Sequence, residues 1–223
     1  MDRRFLAILG AIVVLFIGIA IFQGGDKSST GTSSAKATNH VEGQGQKGVT
    51  LVEYGDYQCS VCLVYYQPLK QVLDKFSTDI YFQFRNLPIV GAHPNAFAAA
   101  RAAEAAGLQN KYWEMHGKLY ENQNNWAPSA NPLSFFTRYA QDIGLNVSQF
   151  KTDYASGKVN DAINADSAEF KKTGRSQATP TFFLDGTYIA NQDLADPQTG
   201  LPNVDNFTKI INAEIAKKTA AGQ

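Results

Sequence analysis

The stretch Val49-Thr50-Leu51-Val52-Glu53-Tyr54-Gly55-Asp56-Tyr57-Gln58-Cys59-Ser60-Val61-Cys62 decides how this chain is read. Val49 to Tyr54 is β-branched and aromatic enough for a strand, and it runs straight into the only two cysteines of the chain. From Cys59 to about Phe76 the apolar residues Cys62, Tyr66, Leu69, Val72, Leu73 and Phe76 fall at helical spacing, with Pro68 inside the pattern. A dithiol at this spacing, between a strand and a helix, can cycle between thiol and disulfide. A helix starting near Cys59 offers its unpaired N–H groups and its dipole to a thiolate. Cys59 is therefore the expected exposed nucleophile, and Cys62, one turn in and facing the core, the resolving thiol. Two other readings compete with this one. A structural cross-link would close only a tiny loop, which makes a poor staple. A zinc or copper site would need further ligands, and the chain offers only His40, His93 and His116, with no second cysteine pair. The reading therefore calls for no metal.

Glu53 lies on the strand before the motif, where Leu51, Glu53 and Gly55 share a face. If that face is the core one, burial raises the Glu53 pKa and the carboxyl can move a proton to or from Cys62. If it faces water, Glu53 is simply solvated.

Outward from the motif, Ile80 to Leu87 alternates as a second strand. The periodicity then turns helical. Ala96–Ala106, Asn110–Tyr120 and Leu133–Ile143 read as helices, followed by shorter ones near 148–156 and 158–173. Thr181 to Leu184 is a strand, Asp185-Gly186 a hairpin turn, and Thr187 to Ala190 its return. An amphipathic helix over Asn203 to Lys218 closes the chain. The fold class is α/β, with an all-helical insertion over about 90–175. Trp113, Phe135 and Phe136 are expected in its core. Asn146 and Asn206 match the glycosylation sequon but read as helix starts.

At the other end, Phe5 to Phe22 is an apolar run near the ~20 residues that cross a bilayer, preceded by Arg3 and Arg4. Residues 1–22 are thus expected as a cytoplasmic tip and a single transmembrane anchor, with a cleaved signal peptide as the alternative. Residues 23–47 are Gly, Ser, Thr, Lys, Asn and Gln with almost nothing apolar, and read as a flexible tether to a domain over 48–219. Lys plus Arg and Asp plus Glu are 20 each, and no basic run appears, so nothing points to nucleic acid.

The stretch around the cysteines, Pro68 in the following helix, and Ala178-Thr179-Pro180-Thr181-Phe182-Phe183-Leu184-Asp185-Gly186 together resemble the DsbA-like branch of the thioredoxin superfamily. The run from His93 to Ala106 and Tyr112-Trp113-Glu114-Met115-His116 is similar to that family's insertion helices. The resemblance covers about 46–219. It implies a thioredoxin fold and a protein thiol:disulfide oxidoreductase with no cofactor. Pro180 would be the cis-proline beside the dithiol, and Thr179 would offer backbone hydrogen bonds to an extended substrate. Glu53, six positions before Cys59, would be the family's buried acid. The partners implied are reduced exported proteins and a membrane reoxidase of the DsbB or VKOR type, with the domain on the outer side of the cell membrane. Ser60 and Val61 depart from the Pro-His of the strong oxidants. Val61 offers no side-chain donor and Ser60 a weak one, so the dipeptide that tunes the thiolate leaves the direction of electron flow open.

Overall fold

The computed structural model describes residues 36–222. Five strands, β1 (His40–Glu42), β2 (Val49–Gly55), β3 (Ile80–Asn86), β4 (Thr181–Leu184) and β5 (Thr187–Ile189), form one sheet in the order β1-β3-β2-β4-β5. Only β2 and β3 are parallel. A parallel pair needs a crossover, and α1 (Ser60–Lys75) supplies it. Between β3 and β4 lie α2 (Ala96–Gly107), α3 (Tyr112–Glu121), α4 (Gln123–Trp126), α5 (Pro132–Asp142), α6 (Val147–Tyr154) and α7 (Gly157–Lys172). After β5, α8 (Asn191–Leu194) and α9 (Val204–Ala221) finish the chain. The α/β class and the helical insertion agree with the sequence pattern. The β4–β5 turn does too: Asp185 and Gly186 have φ of 48° and 80°, the pair of positive angles a type I′ hairpin requires.

The alternation of β2 divides the interior. Val49 and Leu51 face the main core with Phe82, Phe84 and Phe182, under α1, α3 and α9. Tyr54 points the other way, packing with Leu87 and with Phe170 of α7. In the insertion, Phe136 is fully buried while Trp113 and Phe135 are partly so. Asn146 caps α6 by accepting from the Gln149 N–H, whereas Asn206 lies one turn past the cap of α9, which is Asn203.

The tether expected over 23–47 needs correction where it enters the described residues. Residues 40–42 form β1, an edge strand paired with β3. The glycine-rich run after it is a close turn rather than a loose linker. Gly43 and Gly45 have φ of 88° and 63°. A Cβ at Gly43 would drive into the Ile80 carbonyl, and one at Gly45 into the Tyr81 ring. Their backbone continues the contact, with the Gln44 N–H bonded to Ser77 O at 2.9 Å and the Lys47 N–H to Asp79 O at 2.8 Å. A buried polar network fixes the other side of β1. Asp166 of α7 accepts from the Thr38 N–H (2.7 Å), the Thr38 hydroxyl and the Asn86 N–H (2.9 Å). Glu104 accepts from Asn86 Nδ2 (2.7 Å) and pairs with His40, whose ring stacks on Tyr112. The anchor at 5–22 and the tether up to residue 35 lie outside the described residues. Among the described residues no helix is long and apolar enough to cross a membrane.

Candidate active site

β2 ends at Gly55 and hands the chain to a four-residue loop that the protein braces from three directions. Asp56, 1 % exposed, accepts from the Gln58 N–H (2.8 Å), the Ile89 N–H (2.9 Å) and His93 Nδ1 (2.7 Å). Gln123 of α4 donates to the carbonyls of Tyr57 (2.8 Å) and Cys59 (3.0 Å). Gln58 reaches out to Ala127 O and accepts from the Asn95 N–H. Together these bonds set where α1 starts. Cys59 is its N-cap, at φ −70° and ψ 122°, with no side-chain capping bond. The sulfur thus occupies the position where a Ser or Asp oxygen would ordinarily take the first free N–H groups.

Both cysteines are free thiols in this structure. Cys62 faces the core as the spacing predicts. Cys59 is less open than expected, at 6 % exposed against 1 % for Cys62, because the segment before β4 lies over it. Cys59 Sγ is 3.4 Å from the carbonyl oxygen of Thr179, and the Thr179–Pro180 peptide is cis. Asn191 Nδ2 holds the Pro180 carbonyl at 3.0 Å, and the Thr181 hydroxyl donates to Ala178 O at 2.7 Å. The Thr179 hydroxyl is buried with no hydrogen-bond partner, and its nearness to Cys59 helps lower that thiol.

The electrostatics of the two thiols diverge. Hydrogen bonding from the Cys62 thiol, opposed by burial and helped by the Thr179 hydroxyl and the N–H groups of Cys62 and Val61, brings Cys59 down to about 5. Burial, then the hydrogen bond given to Cys59, then the charges of Glu53 and Cys59, push Cys62 well above the ordinary thiol range. Glu53 is on the core face of β2, 4 % exposed, and burial with the nearby Cys59 charge raises its carboxyl to about 8. The exposed side chains of Ser60 and Val61 are not among the groups that lower Cys59; Val61 acts through its backbone N–H.

The structure brings Cys59, Cys62, Glu53, Thr179 and Pro180 to one end of the sheet. Sequence reasoning did not single out the bracing groups Asp56, Gln58, Gln123 and Asn191. Only Asp56 left a local signal, an Asx turn closing on Gln58. His93 pairs with Asp56. His116 lies buried among aromatic rings, where burial and then His40 lower it to about 3, so it stays neutral beside Tyr57.

Residues 35–212 match the family described as Thioredoxin. The chain belongs to the thioredoxin family. Solved structures carry this thioredoxin-family domain with its helical insertion. A thioredoxin-like oxidoreductase from Silicibacter pomeroyi is 25% identical, with a TM-score of 0.63 over 79% of this chain and 91% of its own. The alpha-DsbA1 of Wolbachia pipientis, 19% identical, superposes with a TM-score of 0.68 over 83% of this chain and 95% of its own, a likeness of fold. A curated relative, the Na(+)/H(+) antiporter NhaA 1 of Mycolicibacterium vanbaalenii, is 35% identical over 198 residues, which are 83% of this chain but 31% of the relative. The thioredoxin-family chain thus spans about a third of the length of that relative. The chain thus combines a thioredoxin-like fold with two free thiols, Cys59 and Cys62.

Proposed function

We propose that the protein is a membrane-tethered thiol:disulfide oxidoreductase that introduces disulfides into exported proteins through a Cys59–Cys62 cycle. The observation that carries this reading is the unequal treatment of the two sulfurs. Cys59, at the start of α1 beside Thr179, is held down to about 5, and Cys62 is pushed up. Stabilising the thiolate stabilises the reduced form, and that makes the disulfide the stronger oxidant.

In the forward step a substrate thiolate attacks the Cys59 sulfur of the Cys59–Cys62 disulfide. The substrate–Cys59 bond forms, and Cys62 leaves as a thiolate. Its raised pKa means that it takes a proton readily, and Glu53, carrying a proton near neutral pH, stands as the donor. A second substrate thiolate then attacks the substrate sulfur, the product disulfide leaves, and Cys59 departs as a stable thiolate. Two electrons pass to the protein. The backbone at Thr179, next to Pro180 and the Cys59 sulfur, would hold the substrate as an extended strand. A membrane partner of the DsbB or VKOR type would remove the electrons. The apolar run at 5–22 supports a place at the outer face of the cell membrane. So does the occurrence of a similar segment within a longer protein named as an antiporter.

The test is the reduction potential together with the oxidation of a reduced dithiol peptide. The expected potential lies nearer about −120 mV than about −270 mV, and Cys59→Ser abolishes peptide oxidation. A value near about −270 mV would make the protein a reductase. Undiminished peptide oxidation by the Cys59→Ser variant would remove the dithiol cycle altogether.

A further inference from the structure

A cavity of about 380 Å³ opens between α1, α3 and the β1–β3 edge and ends on Glu53 and Cys62 without reaching Cys59, Thr179 or Pro180. That volume is in the range of small-molecule sites, about 300–1,000 Å³. The rings of Tyr66, Phe82, Trp113 and Tyr120 supply much of its wall. Its charge is lopsided. The lining carboxyls of Asp74 and Glu114 pair with Lys70 and Lys111, and the lining amine of Lys118 pairs with Asp142. Glu42, Glu53 and Glu121 are left with no ion-pair partner among the described residues.

Two buried polar groups on this cavity also lack partners. Tyr120 Oη, on a side chain 2 % exposed, makes no hydrogen bond. The carboxyl of Glu53, 4 % exposed, has none among the described residues either. Groups of this kind are costly to leave unsatisfied. The room itself is kept by Gly117 in the middle of α3, where alanine would favour the helix. A Cβ at Gly117 would stand 3.3 Å from Tyr66 Oη, and anything longer would fill the space.

We propose that this cavity is a binding site for a small organic cation, an ammonium or guanidinium head against Glu53 and Tyr120 Oη with an apolar body on the rings of Tyr66 and Trp113. Glu42 and Glu121, which make no ion pair among the described residues, select the charge, Glu53 releases its proton to solvent as the cation enters, the Tyr120 oxygen accepts a donor of the head, and the ring faces favour a cation over a neutral body. An anion would meet Glu42, Glu53 and Glu121, while the lining amines of Lys70 and Lys118 already pair with Asp74 and Asp142. An occupant there lies behind Cys62, so it reaches the dithiol from the side away from Thr179.

Calorimetric titration of the full-length protein at pH 9, where Glu53 is ionised, tests the site with benzylguanidinium and its neutral isostere benzylurea. Binding is read without any redox reaction, so its failure leaves the proposed oxidoreductase standing. Benzylguanidinium is expected to bind at least tenfold more tightly than benzylurea. Glu53→Gln is expected to erase that difference, and Gly117→Leu to abolish binding of both while the thermal melt of the variant stays cooperative. Equal affinities for the two probes, undiminished binding by the Gly117→Leu protein, or no binding of benzylguanidinium at millimolar concentration would each overturn the proposal.

Discussion

Removing the donor that Cys62 presents to Cys59 tests the electrostatic basis of the site most directly. The leading influence on the Cys59 thiolate is the hydrogen bond from the Cys62 thiol, with the Thr179 hydroxyl and two backbone N–H groups behind it. A hydrogen bond to a charged group contributes about 1.5–3 kcal/mol. At about 1.4 kcal/mol for each pH unit, that is one to two pH units of titration. Cys62→Ala should therefore move Cys59 from about 5 to roughly 6–7. Cys62→Ser keeps an O–H donor at the same place and should leave Cys59 close to its original value. The assay is the thiolate absorbance at 240 nm between pH 3 and pH 10, with the rate of alkylation as a second reading. Both variants carry a single thiol, so the curve belongs to Cys59 alone. If the Ala and Ser variants titrate together, the Cys62 hydrogen bond is not the leading influence, and the start of α1 with Thr179 must carry the whole effect.

Three further outcomes are expected. Glu53 binds its proton more tightly folded than unfolded, so it contributes stability that is full below the unfolded carboxylate value of about 4.3 and lost as pH rises toward about 8. Urea denaturation of the oxidised protein, where no thiolate titrates and burial alone raises Glu53, should show that fall setting in above about pH 5, and Glu53→Gln should flatten it; an equal slope in both proteins would refute the burial of an ionisable Glu53. Gly55→Ala would press a methyl group into the fully buried Phe84 ring and to 3.1 Å from Tyr120 Oη, and should destabilise by about 1–3 kcal/mol in the same assay. Asp166→Ala leaves the Asn86 and Thr38 N–H groups without their acceptor, so amide exchange over residues 38–42 should accelerate more than exchange in β2, and unchanged protection of β1 would count against the network.

What could be read from the chain without coordinates was what leaves a local trace. The strand before Cys59, the helix after it and the Asp185-Gly186 turn are each written in consecutive residues, and each forms where the pattern puts it. Glu53 could be placed on one of two faces by alternation, but which face was buried depended on Phe82, Phe84 and Phe182 arriving from other strands. β1 was hidden for the same reason. Three residues ahead of Gly43 carry no periodicity, and the chain just before them is held by Asp166, far along the sequence. The bracing of the cysteine loop is likewise made of single polar pairs, Asp56 with His93 and Gln123 with Tyr57 and Cys59, which no spacing rule anticipates. The concern over Ser60 and Val61 attended to side chains, whereas the sulfur takes its bonds from Cys62, Thr179 and the backbone.

The stitching of β1 has a consequence for orientation. β1 runs antiparallel to β3, with His40 opposite Phe84, and Thr38 meets Asp166 beside Asn86, the residue in register with Gly55. The chain therefore enters the domain at the end of the sheet that carries the cysteines. The start of β1 and the dithiol thus share one end of the sheet, and the Asp185-Gly186 turn lies at the other.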